Sequence, residues 1–172
     1  MIFYGLIFVL ILAIDIVVKL WAQNFLSAAI SIPVIKDVFH LTYTQNTGAA
    51  FSILEGQRWF FIVLTFIMLV LIGFAFFKSI FKGKWGKTTL VFIFGGAVGN
   101  FIDRLFYGYV VDMFDFCLIN FPVFNVADIF LTVGAVMGII YVLFIDKDFL
   151  SDNKKKDTDE ETDKDGTENS NS

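Results

Sequence analysis

Gly95-Gly96-Ala97-Val98-Gly99-Asn100-Phe101-Ile102-Asp103-Arg104 closes an apolar run that begins near Thr88, and the run changes character halfway along this stretch. Its first five residues carry no bulky side chain except Val98, and Gly95 with Gly99 forms a small-xxx-small pair that lets a second helix approach closely. Asn100 and Asp103 are three apart and Asn100 and Arg104 four apart, so a helix projects all three polar side chains from one face. A run of about 20 apolar residues crosses a hydrocarbon core of roughly 30 Å. An ionisable group inside such a run costs about 2.5–3.5 kcal/mol at the helix centre on insertion scales. The stretch therefore predicts a membrane helix packed tightly against a neighbour, with a polar end that calls for a function.

Three more runs of this kind occur, so the expected spans are 2–21, 59–77, 88–106 and 126–145. The composition agrees: of 172 residues, 57% are hydrophobic and 18% aromatic, which fits a chain whose solvent is mostly lipid. The first run lacks a basic leader and continues past Asp15 through Val18, so it reads as a retained helix and not a signal peptide. The net charge of −4 belongs to the C-terminal tail, where ten of the seventeen acids lie between 146 and 168. The acidity thus says nothing about a substrate. The link 78–87 holds four lysines and the tail five, whereas 107–123 has no basic residue, so charge bias puts both lysine-rich segments and both termini in the cytoplasm. Trp21, Trp59, Trp85 and Tyr107 fall at span ends, as interfacial aromatics do.

On the outer side, Phe39, Leu41 and Tyr43 alternate with His40, Thr42 and Thr44 before Asn46-Thr47-Gly48, which predicts a short β-segment and turn on the membrane surface. The tail after Phe149 is polar and without apolar periodicity, and is expected to be disordered. The expected fold class is an all-α membrane protein of four transmembrane helices with a small extracytoplasmic β-segment and a disordered acidic C-terminal tail. Its domains would be a four-helix membrane unit over 1–146 and a cytoplasmic tail over 147–172. The single cysteine, Cys117, excludes an internal disulfide and reads as a small apolar residue. His40 is the one histidine, so a histidine-based metal site or serine triad has almost nothing to stand on, and it reads as an exposed strand residue.

The same topology collects Asp15, Asp103, Asp112, Asp115 and Asp128, five of the seven acids outside the tail, near the outer interface, together with Lys19, Asn100, Arg104 and Asn125. Two carboxyl groups a few ångströms apart do not both ionise easily, so a pair shares a proton near neutral pH. One then activates a water while the other polarises a carbonyl, a hydrolysis that needs no metal, cofactor, cysteine or histidine. Spacing alone does not choose between Asp112 and Asp115, and Asp103 also competes. Simpler readings exist: Asp15 and Lys19 as an i,i+4 ion pair, Asn125 as a helix cap with Asp128 favoured by the helix dipole, and Asp103 with Arg104 as an interfacial charge pair.

The stretch quoted first, followed by Gly108-Tyr109-Val110-Val111-Asp112 and Phe121-Pro122-Val123-Phe124-Asn125-Val126-Ala127-Asp128, resembles the C-terminal signature of lipoprotein signal peptidases. Asp15 with Lys19, and Gln45-Asn46-Thr47-Gly48-Ala49-Ala50-Phe51-Ser52, resemble that family's two N-terminal motifs. The resemblance covers roughly residues 1 to 145. It implies an aspartic endopeptidase of the bacterial cytoplasmic membrane that removes the signal peptide from prolipoproteins, cutting immediately before the diacylglyceryl-modified cysteine. By motif position the catalytic aspartates are Asp112 and Asp128. Asp15, Lys19, Asn46, Asn100, Asp103, Arg104, Asn125 and Ala127 match positions that shape the site and hold the substrate. The implied partners are a prolipoprotein signal peptide and membrane lipid, with no nucleic acid, and the chain is expected to act as a monomer. A transporter lined by the same charges is the competing class, but it would need polar residues through the full depth of the bilayer, and the inner halves of the second and fourth spans are nearly all apolar. An inactive, lipoprotein-binding relative is disfavoured because both aspartates are present.

Overall fold

The computed structural model describes residues 1–29, 31–49 and 53–145. The polar tail 147–172 and Ala50, Phe51 and Ser52 of the second motif lie outside them. Four helices are long and apolar enough to cross a membrane: α1 (Ile2–Phe25), α2 (Arg58–Phe77), α3 (Gly83–Phe106) and α4 (Val126–Ile140), the last continued by a wider turn over Tyr141–Ile145. α3 starts earlier than its apolar run. Lys84 and Lys87 lie in its first turns, ahead of the apolar run.

α3 packs against the other three helices, and its glycines decide how closely. A Cβ on Gly95 would lie 2.9 Å from the Ile11 side chain of α1, and one on Gly96 would collide with the Ala127 carbonyl and approach Leu131 of α4 to 2.8 Å. At Gly99 it would meet both neighbours, Asp15 Oδ2 at 2.6 Å and the Ala127 Cβ at 3.2 Å. The small-residue stripe thus serves two helices at once. Large side chains such as Leu6, Val9, Val63, Phe66, Val136 and Ile139 stay exposed on the outside of the bundle, where lipid is their solvent.

At one end sits a three-stranded antiparallel sheet in the order β1 (Ser31–Ile35), β2 (Phe39–Asn46), β3 (Val110–Asp115). The sequence predicted only the central strand. β1 carries Pro33, tolerated because it is an edge strand. β3 carries the Val-Val-Asp motif, so Asp112 is held in a ladder and not on a free loop. The sheet is fastened to the end of α1 by a cluster of Ala22, Leu26, Val111 and Met113. Register slips between Leu41 and Thr44, placing an extra residue on β2 opposite β3. Such a bulge re-aims neighbouring side chains.

The segment before α4 is pinned to β3 by three backbone bonds: Met113 N to Phe124 O at 3.0 Å, Phe114 N to Phe124 O at 2.8 Å and Phe124 N to Phe114 O at 3.0 Å. The N-terminus of α4 is therefore delivered beside Asp112. At the far end of α3, Gly108 adopts φ +83 and closes the helix as a left-handed glycine does. Arg58 then covers the last carbonyls, donating to Arg104 O at 2.8 Å and Leu105 O at 2.7 Å.

Gly96→Ala should force α3 and α4 apart, at a cost of about 1–3 kcal/mol for an overpacked contact. A lowered unfolding midpoint in detergent is the expected result.

Candidate active site

Every site residue expected from the sequence lies at the sheet end of the bundle, and most belong to one hydrogen-bonded network. Its base is Lys19, whose ammonium contacts Asp15 Oδ2 of its own helix at 2.8 Å and Asp103 Oδ2 of α3 at 2.9 Å, and donates to Asn100 Oδ1 at 3.0 Å. Asp15 and Lys19 are 1% and 3% exposed, so the ion pair expected from their spacing exists but is only part of a larger arrangement. Buried charges persist only when paired and hydrogen-bonded, and each of these carboxylates is also bonded to backbone. Asp15 Oδ1 accepts from Ala127 N at 2.9 Å, and Asp103 Oδ2 accepts from Val111 N at 3.1 Å. Ala127 and Val111 immediately precede Asp128 and Asp112. The two supporting carboxylates thus hold the backbone next to each member of the proposed pair.

Two asparagines complete the connection. Asn125 Nδ2 donates to Asp112 Oδ1 at 2.6 Å and to Asn100 Oδ1 at 3.1 Å, and Asn100 Nδ2 donates to Asp128 Oδ1 at 2.7 Å. Asn125 is also the expected cap: its Oδ1 accepts from Asp128 N at 3.0 Å, while Asp128 Oδ2 accepts from Asn125 N at 3.1 Å. Capping and site assembly are one structure. On the other side Asn46 Nδ2 donates to Asp112 Oδ2 at 3.0 Å, with the Asn46 side chain braced by Gly48 N at 2.9 Å.

Asp112 and Asp128 line a common cavity of about 460 Å³, together with Asn46, Arg104, Phe121 and Thr132. Asp112 is 2% exposed. Burial, and next the charge of Asp128, push its carboxyl up to about 7, against the opposing pull of the Asn46 and Asn125 N–H donors and of Lys19. The structure separates the competitors by direction. Asp115, three positions on along β3, faces the other side of the sheet and accepts from Thr42 Oγ1 at 2.9 Å. Asp103 points away from the cavity into the Lys19 cluster. The simpler reading of Asp103 and Arg104 as a charge pair does not hold: Arg104 turns into the cavity, donates to Gly48 O at 2.9 Å and lies over the Phe61 ring. His40 is half-buried, with Nδ1 3.3 Å from Ser31 Oγ, not exposed on its strand.

Gly48, Val111 and Arg58 were missed as supports because they act through backbone groups or on backbone, and a sequence pattern does not display backbone direction. The Asn46-Thr47-Gly48 turn is the exception. An asparagine two residues before a glycine signals a side chain bonded to the next turn's N–H.

Four helices long and apolar enough to cross a membrane, with one buried and one half-buried aspartate lining a cavity between α3, α4 and the sheet, define a polytopic membrane protein with the side-chain equipment of an aspartic hydrolase. A family profile described as Signal peptidase (SPase) II matches residues 7–144. Lipoprotein signal peptidases of Clostridioides difficile (strain 630) and Brevibacillus brevis (strain 47) are 42% and 45% identical, covering 83% of this chain in each case and 96% and 95% of the relatives. Two solved structures, each described as a bacterial membrane enzyme, are 35% identical with TM-scores of 0.76 and 0.74, covering 84% and 83% of this chain and 88% and 93% of theirs. The chain belongs to the signal peptidase II family.

Lys19→Met would leave Asp15 and Asp103 buried without their cation, at a cost of about 3–5 kcal/mol. The expected outcome is a marked fall in thermal stability in detergent, with Lys19→Arg recovering part of it.

Proposed function

We propose that the chain is a membrane-embedded aspartic endopeptidase that removes the signal peptide from diacylglyceryl-modified prolipoproteins, cutting immediately before the lipid-bearing cysteine, with Asp112 and Asp128 as its catalytic pair. Family membership supports the activity. The observation that carries the choice of residues is that Asp112 and Asp128 face one cavity and are joined through Asn125 and Asn100.

The chemistry follows from the protonation that burial imposes. Asp112 carries the shared proton and donates a hydrogen bond to the scissile carbonyl oxygen, raising the electrophilicity of its carbon. Asp128, its oxygens oriented by Asn100 and the Asn125 N–H, takes a proton from a water between the two carboxyls, and the hydroxide equivalent adds to that carbon. As the tetrahedral intermediate collapses, the C–N bond breaks and the proton on Asp128 passes to the departing amine of the lipid-modified cysteine. The signal peptide leaves with a new carboxylate. Asn46 and Asn125 fix both oxygens of Asp112 throughout, and Arg104, held by Gly48 O, forms part of the cavity wall. Asp15, Lys19, Asp103 and Ala127 support the pair from behind.

The lysines at 78, 82, 84 and 87 favour a cytoplasmic position for the end of the bundle opposite the cavity. The cavity then opens near the outer face, where water is available, and both termini are cytoplasmic. The catalytic unit is residues 1–146, and the acidic segment 147–172 is not required for cleavage. One copy of the chain suffices, no cofactor enters the reaction, and nucleic acid has no part in it.

With purified protein and a diacylglyceryl-modified prolipoprotein, Asp112→Asn and Asp128→Asn should each insert normally and leave the precursor uncut, while Asp115→Asn keeps substantial activity. Loss in Asp115→Asn with retention in Asp112→Asn would reverse the assignment.

Because the protonated form of Asp112 is the active one and its carboxyl titrates at about 7, kcat/KM should fall as pH rises through about 7. Asn46→Ala removes a donor that favours the ionised form, so in that variant the fall should move to higher pH, whatever the loss in rate.

A further inference from the structure

At the end of the bundle opposite the carboxylates, α1, α2 and α3 enclose a second hollow, of about 320 Å³, that the peptidase chemistry does not use. Its floor is the buried Ile72, Leu90 and Val91, and its walls are the rings of Tyr4, Phe8 and Phe76. Two glycines line it, Gly5 in the first turn of α1 and Gly73 inside α2, and unlike Gly95, Gly96 and Gly99 of α3 neither is required by a neighbour. A Cβ on either would meet nothing within 4 Å. Glycine inside a helix costs roughly 1 kcal/mol relative to alanine, and no contact among the described residues accounts for it at Gly73. What the two glycines do is keep the hollow wide.

Charge at the rim says what fits there. Lys87 lies one turn before Leu90 and Val91 on the same face of α3, with its ammonium 5.7 Å from the centre of the Phe76 ring that forms one wall. No ion pair to Lys87 occurs among the described residues. Lys78, whose ammonium lies 5.9 Å from the Phe74 ring, and Lys82 and Lys84 are at the same end. An apolar hollow in a membrane helix bundle, with lysines at the adjoining helix ends, matches a ligand with a hydrocarbon chain and an anionic head. We propose that this hollow is a binding site for one acyl chain of an anionic phospholipid, with Lys87 contacting its phosphate. The site is separate from the cavity that holds Asp112 and Asp128 and does not depend on their assignment. Its occupant fills the space left by Gly5 and Gly73 between α1 and α2, which meet there through the Tyr4 and Phe76 rings.

Native mass spectrometry of the full chain in detergent, titrated with a phosphatidylglycerol or a phosphatidylcholine of the same acyl chains, tests this. The wild type should bind one phosphatidylglycerol in preference to phosphatidylcholine. Gly73→Leu and, from the opposite wall, Gly5→Leu fill the hollow without a backbone clash and should lose that bound lipid. Lys87→Gln should still bind lipid but with phosphatidylglycerol affinity reduced about fivefold, the effect of one lysine near a membrane surface. Equal binding of the two lipids by the wild type, retention of the lipid in both leucine variants, or a change in the dimer population in place of lipid loss would each overturn the proposal.

Discussion

The Lys19 ammonium is the contact on which the rest of the site depends. Lys19 is only 3% exposed, so its charge must be met by protein groups and not by water. It is met by Asp15 at 2.8 Å, Asp103 at 2.9 Å and the Asn100 carbonyl oxygen at 3.0 Å. That single cation ties α1 to α3. Each of its carboxylates then holds the backbone N–H of a residue that directly precedes a proposed catalytic aspartate, Ala127 before Asp128 and Val111 before Asp112. The position of the pair is therefore set from behind, by charges that do not line the cavity.

The same economy governs the α4 terminus. A helix needs its first N–H groups satisfied, and Asn125 and Asp128 satisfy each other's in a reciprocal cap. The cap leaves Asn125 Nδ2 free to hold Asp112 and Asn100, and leaves Asp128 Oδ1 for Asn100. Helix initiation and the joining of the two carboxyls are thus inseparable, and substitution of Asn125 would disturb both. Close approach of α3 to its neighbours, allowed by Gly96 and Gly99, brings these short side chains within bonding distance.

The helices were legible because a membrane span is a composition as much as a pattern: four apolar runs of the right length have few alternatives. The polar residues were legible for the converse reason, each being costly where it stands. The sheet was legible only in its middle strand, whose alternation is visible from Phe39 to Thr44. β1 is short and broken by Pro33, and β3 is too buried to alternate, so neither carries the two-residue period. Spacing could not choose between Asp112 and Asp115; the family motif favours Asp112, and the pleat sends the two to opposite faces, so that Asp112 lines the cavity while Asp115 bonds Thr42. The diverging directions of Asp103 and Arg104 were hidden because both belong to one polar turn of α3, and only the packing partners on either side, Lys19 and Gly48, tell them apart.

The central claim is that burial and the nearby charge of Asp128 hold the proton of Asp112 to near neutral pH, against the pull of its hydrogen-bond donors. Infrared difference spectroscopy on protein carrying carbon-13 in the aspartate carboxyls reads this directly. The account predicts a protonated-carboxyl band that disappears with a midpoint at about 7, is absent from Asp112→Asn and persists in Asp115→Asn. A band that survives in Asp112→Asn, or no aspartate titrating near neutral pH, would contradict it.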